Sequence, residues 1–492
     1  MTITDVLHPG AIDQAQPTGP KGLPLLGNLL DIKRDTLNFF VNMSKDYGDI
    51  VPYRIGTDRV FLINNPEYIR YVLTINQKNY GKGKFFAKAK PLMGGAMVMS
   101  DGDKWLKLRR TALPAIQGKA LPQMADPIVD AVDDVIARLR GNVQSGAPVD
   151  IAPEMTKLAM DVVFRTLFRV NLDYDADRVY DALSAALGEV EQRIWSVTPI
   201  AEYLPSRRQA AFRHNIKVLD DVVRRVIETR RADPTDYGDL LSVFIRATDD
   251  PENTVYTEKQ LRDECINFVI VGRDTAAGAL IWALYLLSQH PAVERRLRQE
   301  VDAVLGGRRP TYDDVEKMPY MRMVLDEAMR LYPPGWTFSR MALEDDRIGD
   351  VDIPKGSAVQ MCIYAMHRNP RYWENPEAFD PERFLPERSK GRPQFAYLPF
   401  GGGGRVCIGR KLALMEGALV ISRLLQSFQF GLVPGQRIEI EPMITLRPKH
   451  GLKMTLRDAD PVGEPASVED TPRPVERPAA TGGCPFAAAR SA

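Results

Sequence analysis

The chain has 492 residues, of which 44% are hydrophobic, and its 65 Lys and Arg residues nearly balance its 64 Asp and Glu residues. This length and apolar content are sufficient for a large buried core. Nucleic-acid-binding proteins typically have an excess of basic residues, which this chain lacks, so no nucleic-acid partner is expected.

The cysteines are scattered, and none of them forms a CxxC pair (Cys265, Cys362, Cys407, Cys484). This disfavours a disulfide scaffold, a zinc site and a four-cysteine iron–sulfur cluster. Such usage fits a reducing cytoplasm, which is the predicted location. The N-terminus is too polar for a signal peptide, and the apolar run at 276–287 is shorter than the ~20 residues that span a bilayer. No membrane anchor is therefore predicted.

The predicted elements begin with a Pro- and Gly-rich stretch, QPTGPKGLPLLGN at 16–28, which predicts an extended entry segment. The alternating runs IVPYRIG and RVFLIN then predict a small sheet. Residues 103–333 are mostly helical by pattern. Within them, 257–290 contain no proline and could form a helix of about 50 Å. Its apolar middle predicts that it crosses the protein interior.

Residues 334–457 combine short strands, an irregular Pro-rich stretch, a glycine cluster, one helix and a final alternating segment, HGLKMTL. A Pro- and Ala-rich, low-complexity tail follows, which is expected to be disordered. We therefore predict a mainly α fold with small β-sheets (α+β). It would comprise a flexible N-terminus (1–19), one catalytic domain (20–457) and the tail (458–492).

The glycine cluster FGGGGRVCIG at 400–409 carries the strongest chemical signal. Four consecutive glycines allow a backbone to approach a flat ligand. Cys407 then precedes an apolar helix whose N-terminus is partially positive, and that field, with a nearby arginine, favours thiolate over thiol. Such a thiolate is a good iron ligand. An inert buried cysteine in a glycine hairpin would show the same local pattern.

This segment resembles the cytochrome P-450 signature FxxGxRxCxG at all its fixed positions, which are Phe400, Gly403, Arg405, Cys407 and Gly409. The resemblance implies the P-450 fold, with the long helix over a heme b cofactor. It also implies that Cys407 is the axial iron ligand, that Phe400 packs beside the thiolate, and that Arg405 binds a heme propionate. Amides after the cysteine would tune the iron through hydrogen bonds to sulfur.

Glu327 and Arg330 form an ExxR motif, whose i,i+3 spacing places them on one helix face. Alone, the motif would more often be a surface ion pair. The resemblance adds Arg383, in PERF, and implies that the three form a buried structural cluster that supports the heme-binding loop.

Two further motifs resemble propionate-binding positions of the family. Trp105 and Arg109 match WxxxR on one helix face, and both side chains can donate hydrogen bonds. Arg340 lies where the family often has another propionate-binding arginine. An ordinary surface arginine is the alternative for Arg340.

The middle of the long helix contains Asp274 and Thr275. Burying polar side chains costs free energy, so their presence in an apolar helix needs an explanation. Thr275 can bond back to the carbonyl of Val271, and Gly272 would ease the resulting bend. The resemblance implies that Asp274 and Thr275 deliver protons to dioxygen. Val271 stands where the family usually has Ala or Gly and would crowd the distal face.

The function that the resemblance implies is a heme-thiolate monooxygenase. It would insert one oxygen atom of O2 into a small apolar substrate, by hydroxylation or epoxidation of a fatty acid, terpenoid or steroid-like molecule. Segments at 85–86 and 195–204 would contact the substrate. Because only a short tail follows the domain, electrons would come from a separate ferredoxin or flavodoxin with its reductase. Exposed basic residues could attract an acidic partner or simply form a solvated face (Lys104, Lys107, Arg110, Arg410, Lys411).

Two other functions stay open at this point. One is a heme-thiolate peroxygenase or isomerase, although those relatives often lack the Asp–Thr pair that this chain keeps. The other is a heme-based sensor, which would need neither a proton relay nor a substrate pocket.

Overall fold

The computed structural model describes residues 18–172, 175–194, 206–253 and 255–459. The predicted N-terminal segment and tail, including Cys484, fall almost entirely outside these residues. So do residues 195–204, which were expected to contact substrate.

The helices account for most of the described chain. The longer ones are α1 (Thr36–Asp46), α2 (Gly102–Ala112), α3 (Pro122–Ser145), α4 (Ile151–Leu167), α5 (Ala176–Ile194), α6 (Arg207–Ala232), α7 (Leu240–Asp249), α8 (Glu258–Gln289), α9 (Pro291–Leu305), α10 (Pro319–Leu331) and α11 (Arg410–Ser427). Shorter α-helices span Leu29–Arg34, Pro66–Arg70, Lys90–Met93, Ile363–Met366 and Pro386–Ser389. A single π-helical turn spans Tyr71–Ile75.

The strands are short and form small sheets. They are β1 (Ile50–Ile55), β2 (Asp58–Ile63), β3 (Tyr80–Gly81), β4 (Val149–Asp150), β5 (Thr337–Ala342), β6 (Asp346–Ile348), β7 (Val351–Ile353), β8 (Ala358–Cys362), β9 (Phe428–Leu432), β10 (Ile440–Pro442), β11 (Leu446–Pro448) and β12 (Lys453–Asp458). One sheet has the order β1-β2-β8-β5-β3, and another has β4-β12-β9. The pairs β6-β7 and β10-β11 are hairpins. The predicted mainly α fold with small sheets is confirmed, including the early β1-β2 pair.

The long helix α8 begins and ends where the sequence predicts. Thr257 caps its N-terminus by accepting a hydrogen bond from the Gln260 amide at 3.2 Å, and Pro291 begins the next helix. Its 32 residues extend about 48 Å. By length and composition it could cross a membrane, but 67% of its most apolar window is buried by the rest of the protein. Packing explains this burial, since the Trp282 ring stacks on Tyr332 with centroids 4.2 Å apart.

The entry segment is not simply extended, contrary to the prediction. Leu23 and Gly27 exchange backbone hydrogen bonds of 2.8 Å, which closes a turn between them. Leu25 has a positive φ of 62° in this turn, and Gly27 has one of 58°. A Cβ at Gly27 would lie 2.5 Å from the Arg54 carbonyl oxygen, so close packing against β1 requires this glycine.

Glu416 is a carboxyl group inside the core, on the buried face of α11. It is 5% exposed, and among the described residues its Oε1 has no hydrogen-bond partner. Burial raises the pKa of Glu416 to about 8. The folded protein therefore holds this proton, whereas the unfolded chain releases it near pH 4.3, at about the ordinary pKa of glutamate.

Glu416→Gln is expected to raise the melting temperature relative to the wild type by an amount that grows as the pH rises from about 5 to 9. The stability that protonated Glu416 contributes is complete below its unfolded-state pKa and is lost as the pH rises through about 8. The full change is on the order of a few kcal/mol. Thermal unfolding of the holoproteins, followed by circular dichroism, measures it.

Glu387→Gln removes an exposed carboxyl, and its difference in melting temperature from the wild type should not change with pH. A flat difference for Glu416→Gln as well would contradict the shifted pKa.

Candidate active site

Cys407 lies in the loop that leads into α11. Its backbone amide donates to the carbonyl of Phe400 at 2.9 Å, which closes the glycine loop on itself. The Cys407 side chain is open, whereas Cys265 and Cys362 are buried, and all three thiols are free. The geometry therefore singles out Cys407 as the thiol available to a ligand.

Three glycines of this loop pack closely against the protein itself, and the expectation that the glycines let the backbone approach a flat ligand stays a prediction. A Cβ at Gly403, where φ is 66°, would lie 1.8 Å from the Leu73 carbonyl oxygen. One at Gly402 would lie 2.5 Å from Phe395, and one at Gly404 would lie 2.7 Å from the Gln77 amide oxygen. These glycines let the loop pack against the π-helical turn and its neighbours.

The predicted activation of the Cys407 thiol is only partly right. Although the Cys407 side chain is exposed, desolvation by the protein around it raises the pKa of this thiol above its ordinary value. The Gly409 amide and the charges of Arg109 and Arg410 act in the predicted, opposite direction, but they do not outweigh burial. A bound metal ion would deprotonate the thiol outright, so the local field assists ligation without producing a free thiolate.

Trp105, Arg109 and Arg405 meet beside this loop. The guanidinium carbon of Arg109 is 5.7 Å from the centre of the Trp105 ring, and that of Arg405 is 4.5 Å from it. The WxxxR residues on α2 and the signature arginine, which are far apart in sequence, thus share one location.

Arg340 belongs to a cationic cluster, defined here as Lys82, Arg340 and Arg405. It lies on β5 and is 8% exposed, which excludes an ordinary surface arginine. Burial, together with the positive charge of Arg405, lowers the pKa of Arg340 to about 10. Asp101 supplies a compensating carboxylate and pairs with Arg405.

Lys82 is the member of the cationic cluster that sequence reasoning missed. Burial, followed by the charges of Arg340 and Arg405, lowers the pKa of Lys82 to about 7. Its ammonium group lies 4.5 Å from the centre of the Phe86 ring. The local sequence YGKGK gives no signal for this position, because the other two cations are brought near it only by the fold.

Glu327, Arg330 and Arg383 form one buried ionic cluster, with exposures of 0%, 0% and 3%. Arg330 donates to both carboxylate oxygens of Glu327, at 2.6 and 2.8 Å, and Arg383 donates to Oε1 at 2.9 Å. Desolvation lowers the pKa of Arg330, and the Glu327 carboxylate opposes that effect. The alternative of a surface ion pair is therefore wrong.

The cluster is connected to the Cys407 loop through His367, a buried residue that sequence reasoning did not identify. Arg330 donates to the His367 carbonyl at 2.8 Å. The His367 ring accepts a hydrogen bond from the Leu398 amide at 3.0 Å, two residues before Phe400. Burial lowers the pKa of His367, so this ring is neutral and can accept that bond.

Asp274 and Thr275 occupy the middle of α8. Thr275 is exposed in an otherwise largely buried stretch, and its hydroxyl donates to the Val271 carbonyl at 2.7 Å, as predicted. Burial raises the pKa of Asp274, and Arg273 and Arg447 oppose the rise. Gly272 has a packing role, since a Cβ there would lie 2.5 Å from a methyl group of Val163 on α4.

A profile of the cytochrome P450 family matches residues 17–455. This chain belongs to the cytochrome P450 family.

The P450 is similar to bacterial oxygenases over most of its length. It is 34% identical to cyclooctat-9-en-7-ol 5-monooxygenase of Streptomyces melanosporofaciens, over 85% of this chain and 90% of the relative. It is 29% identical to pentalenene oxygenase of Streptomyces avermitilis, over 88% and 93% of the two chains. The crystal structure of the cytochrome P450DA heme domain aligns with a TM-score of 0.81 and 26% identity, over 91% of this chain and 98% of that one.

Family membership establishes the general activity. The protein is a cytochrome P450 monooxygenase, an oxidoreductase with a heme-iron cofactor that acts on a hydrophobic substrate with O2 and electrons from a redox partner.

The residues around Cys407 fit such a cofactor. The cationic cluster has three positive groups near one carboxylate, Asp101, and the buried Nε of Arg405 has no hydrogen-bond partner among the described residues. Two propionates would supply the missing negative charge and acceptors. Within the described ranges no three His, Cys, Asp or Glu side chains are grouped as a metal site.

Proposed function

We propose that this P450 binds heme b and inserts one oxygen atom from O2 into a cyclic terpenoid. The choice of substrate class is supported by the names of its relatives, which denote oxygenation of cyclooctat-9-en-7-ol and pentalenene. The observation that favours a monooxygenase over a peroxygenase or a sensor is the pair formed by half-buried Asp274 and exposed Thr275. A carboxyl that can be protonated, next to an exposed hydroxyl, can deliver protons to a reacting group during turnover.

In this proposal the Cys407 thiolate would hold the heme iron, and Phe400 would pack beside it. The propionates are held by the cationic cluster together with Trp105 and Arg109. When bound, a thiolate-ligated heme supplies an electron-rich iron that favours cleavage of the oxygen–oxygen bond.

The chain's own residues would control the protons. Because burial raises the pKa of Asp274, its carboxyl can hold a proton closer to neutral pH than an exposed aspartate can. The Thr275 hydroxyl follows Asp274 directly in the chain. Its oxygen can accept a hydrogen bond, because its own proton is donated to the Val271 carbonyl. The Val271 side chain, half-buried next to this hydroxyl, would narrow the space for substrate.

We further propose that a separate ferredoxin or flavodoxin, with its reductase, delivers the electrons. The side chains of Lys104, Lys107 and Arg110 on α2 are exposed, and so are those of Arg410 and Lys411 at the start of α11. Both helices border the Cys407 loop, so an acidic partner attracted there would approach the thiolate side.

Thr275→Ala is expected to uncouple reductant consumption from product formation. A positioned proton donor contributes about 10²–10⁴-fold in rate, although water can partly replace it. We expect less product per reductant consumed and more hydrogen peroxide, with unchanged heme content. The assay measures product, peroxide and reductant in one reaction with a cyclic terpene, a surrogate ferredoxin and its reductase.

Thr275→Ser restores the hydroxyl and is the matched control, expected to recover coupling. If Thr275→Ala couples as well as the wild type, Thr275 has no part in proton delivery. If the wild type turns over with added peroxide but not with O2 and a redox partner, the protein is a peroxygenase instead.

A further inference from the structure

The part of α8 between Gly278 and Trp282, which follows Asp274, packs against the β10-β11 hairpin. The Leu446 carbonyl oxygen accepts a hydrogen bond from Trp282 Nε1 at 3.1 Å. The same oxygen would lie 3.5 Å from a Cβ added at Gly278, about one turn after Asp274. The next hairpin residue, Arg447, is therefore held close to the proposed proton donor.

The hairpin is attached to α5 by Glu191, near the end of that helix. This carboxylate is 5% exposed, and its Oε1 accepts a hydrogen bond from the Ile444 amide at 3.1 Å. Arg447 Nη2 lies 3.6 Å from Glu191 Oε2. Arg447 also pairs with Glu441 at 2.8 Å, and 51% of its side chain is exposed. It therefore lies between the buried Glu191 carboxylate and the solvent.

Glu191 depends on this arginine for compensation of its charge. Among the described residues its Oε2 accepts no hydrogen bond. Burial raises the pKa of Glu191; Arg447 and the Ile444 amide lower it, and the negative charge of Asp274 raises it. A hairpin that moved away would leave an uncompensated carboxylate in the interior, which is costly.

The charged and titratable groups around Asp274 come from three elements. Arg273, on its own helix, lies 3.3 Å from it and is buried, with its Nη2 bonded to Ser184 on α5 at 2.6 Å and its guanidinium 4.9 Å from the Tyr180 ring. Glu191 approaches from α5. Arg447 approaches from the hairpin with its partner Glu441 beside it. Arg273 is thus held in place by Ser184 on α5, whereas Arg447 is held by the hairpin through its ion pairs with Glu191 and Glu441.

We infer that Glu191 and Arg447 are positioning residues for the proton donor: Glu191 anchors the hairpin, and the anchored hairpin holds a positive charge beside Asp274. This inference rests on the proposed role of Asp274. Because Arg447 favours the ionised form of Asp274, displacement of the hairpin would shift this carboxyl toward its protonated form. The position of the hairpin would thereby set when Asp274 can donate.

The test uses the holoenzyme with the terpene and surrogate redox partners, and it measures product per reductant as a function of pH. Arg447→Gln removes the positive charge and is expected to move the alkaline decline in coupling to higher pH. Arg447→Lys keeps the charge and should restore the wild-type profile. Arg457→Gln, which removes an exposed arginine on β12, is the matched control and should leave the profile in place.

Glu191→Gln supplies a readout that does not depend on turnover. Glutamine retains the acceptor for the Ile444 amide but removes the charge that holds Arg447. Hydrogen–deuterium exchange of peptides covering 440–448 should therefore increase. An Arg447→Gln profile that coincides with the wild type, or unchanged exchange in Glu191→Gln, would overturn the inference.

Asp274→Asn separates this inference from the proposed function. If Asp274→Asn leaves coupling at the wild-type level, the proposed proton donor itself is wrong. If Asp274→Asn uncouples the enzyme while Arg447→Gln leaves the pH profile unchanged, the proton donor stands and only the role of the hairpin fails.

Discussion

Cys407→Ala is expected to abolish the red-shifted Soret band of the reduced carbon monoxide complex, which reports thiolate ligation. The side chain of Cys407 is the exposed thiol of the described chain. Desolvation raises the pKa of this thiol, and the Gly409 amide and the charges of Arg109 and Arg410 oppose the rise. Alanine removes the sulfur and leaves the cationic cluster unchanged. Residual heme should therefore bind weakly, and oxygenation of substrate should fall to background.

The other cysteines of the described chain are matched controls. Cys265→Ala and Cys362→Ala each remove a buried thiol whose pKa is raised by desolvation and which faces no open space. Both variants should retain the red-shifted band, with at most some loss of stability from the small cavity. A wild-type band in Cys407→Ala, or its loss in Cys265→Ala, would show that the ligand is misassigned.

Glu327→Ala is expected to yield little folded holoprotein. Alanine leaves Arg330 and Arg383 buried without a counter-charge, and breaking a buried ion cluster in this way costs about 3–5 kcal/mol. The loss should extend to heme binding, because Arg330 supports His367, which in turn holds Leu398 beside the Cys407 loop. Yield, heme content per chain and melting temperature measure the effect.

Two variants make this prediction specific. Glu327→Gln retains oxygen and nitrogen atoms for hydrogen bonding but removes the charge, so it should be destabilised nearly as much if the charge is what matters. Glu316→Ala removes an exposed carboxyl just before α10 and should behave as the wild type. Normal heme content and an unchanged melting temperature in Glu327→Ala would contradict the supporting role of the cluster.

The amino-acid sequence predicted the parts of this molecule that depend on short-range spacing. Thr257 and Pro291 bound α8 because a capping side chain and a proline act within one turn. Arg330 and Glu327 pair because i,i+3 places them on one face, and Thr275 reaches the Val271 carbonyl four residues earlier for the same reason.

Other features were decided only by the tertiary structure. Packing determined why Gly403 is a glycine, since the atom that excludes a Cβ is the Leu73 carbonyl oxygen in a distant segment. Desolvation determined the pKa of Cys407, and its extent cannot be seen in the loop sequence, which shows only the opposing charges.

The family, the iron-ligand candidate and the long helix could be predicted from the amino-acid sequence, because each is encoded in a contiguous motif or a helical period. Only the tertiary structure brought Lys82 to Arg340 and Arg405, and Arg447 to Glu191 and Asp274. These contacts join residues far apart in the chain. Their distances are set by how helices and strands pack against one another, and packing of that kind leaves no local pattern from which they could be predicted.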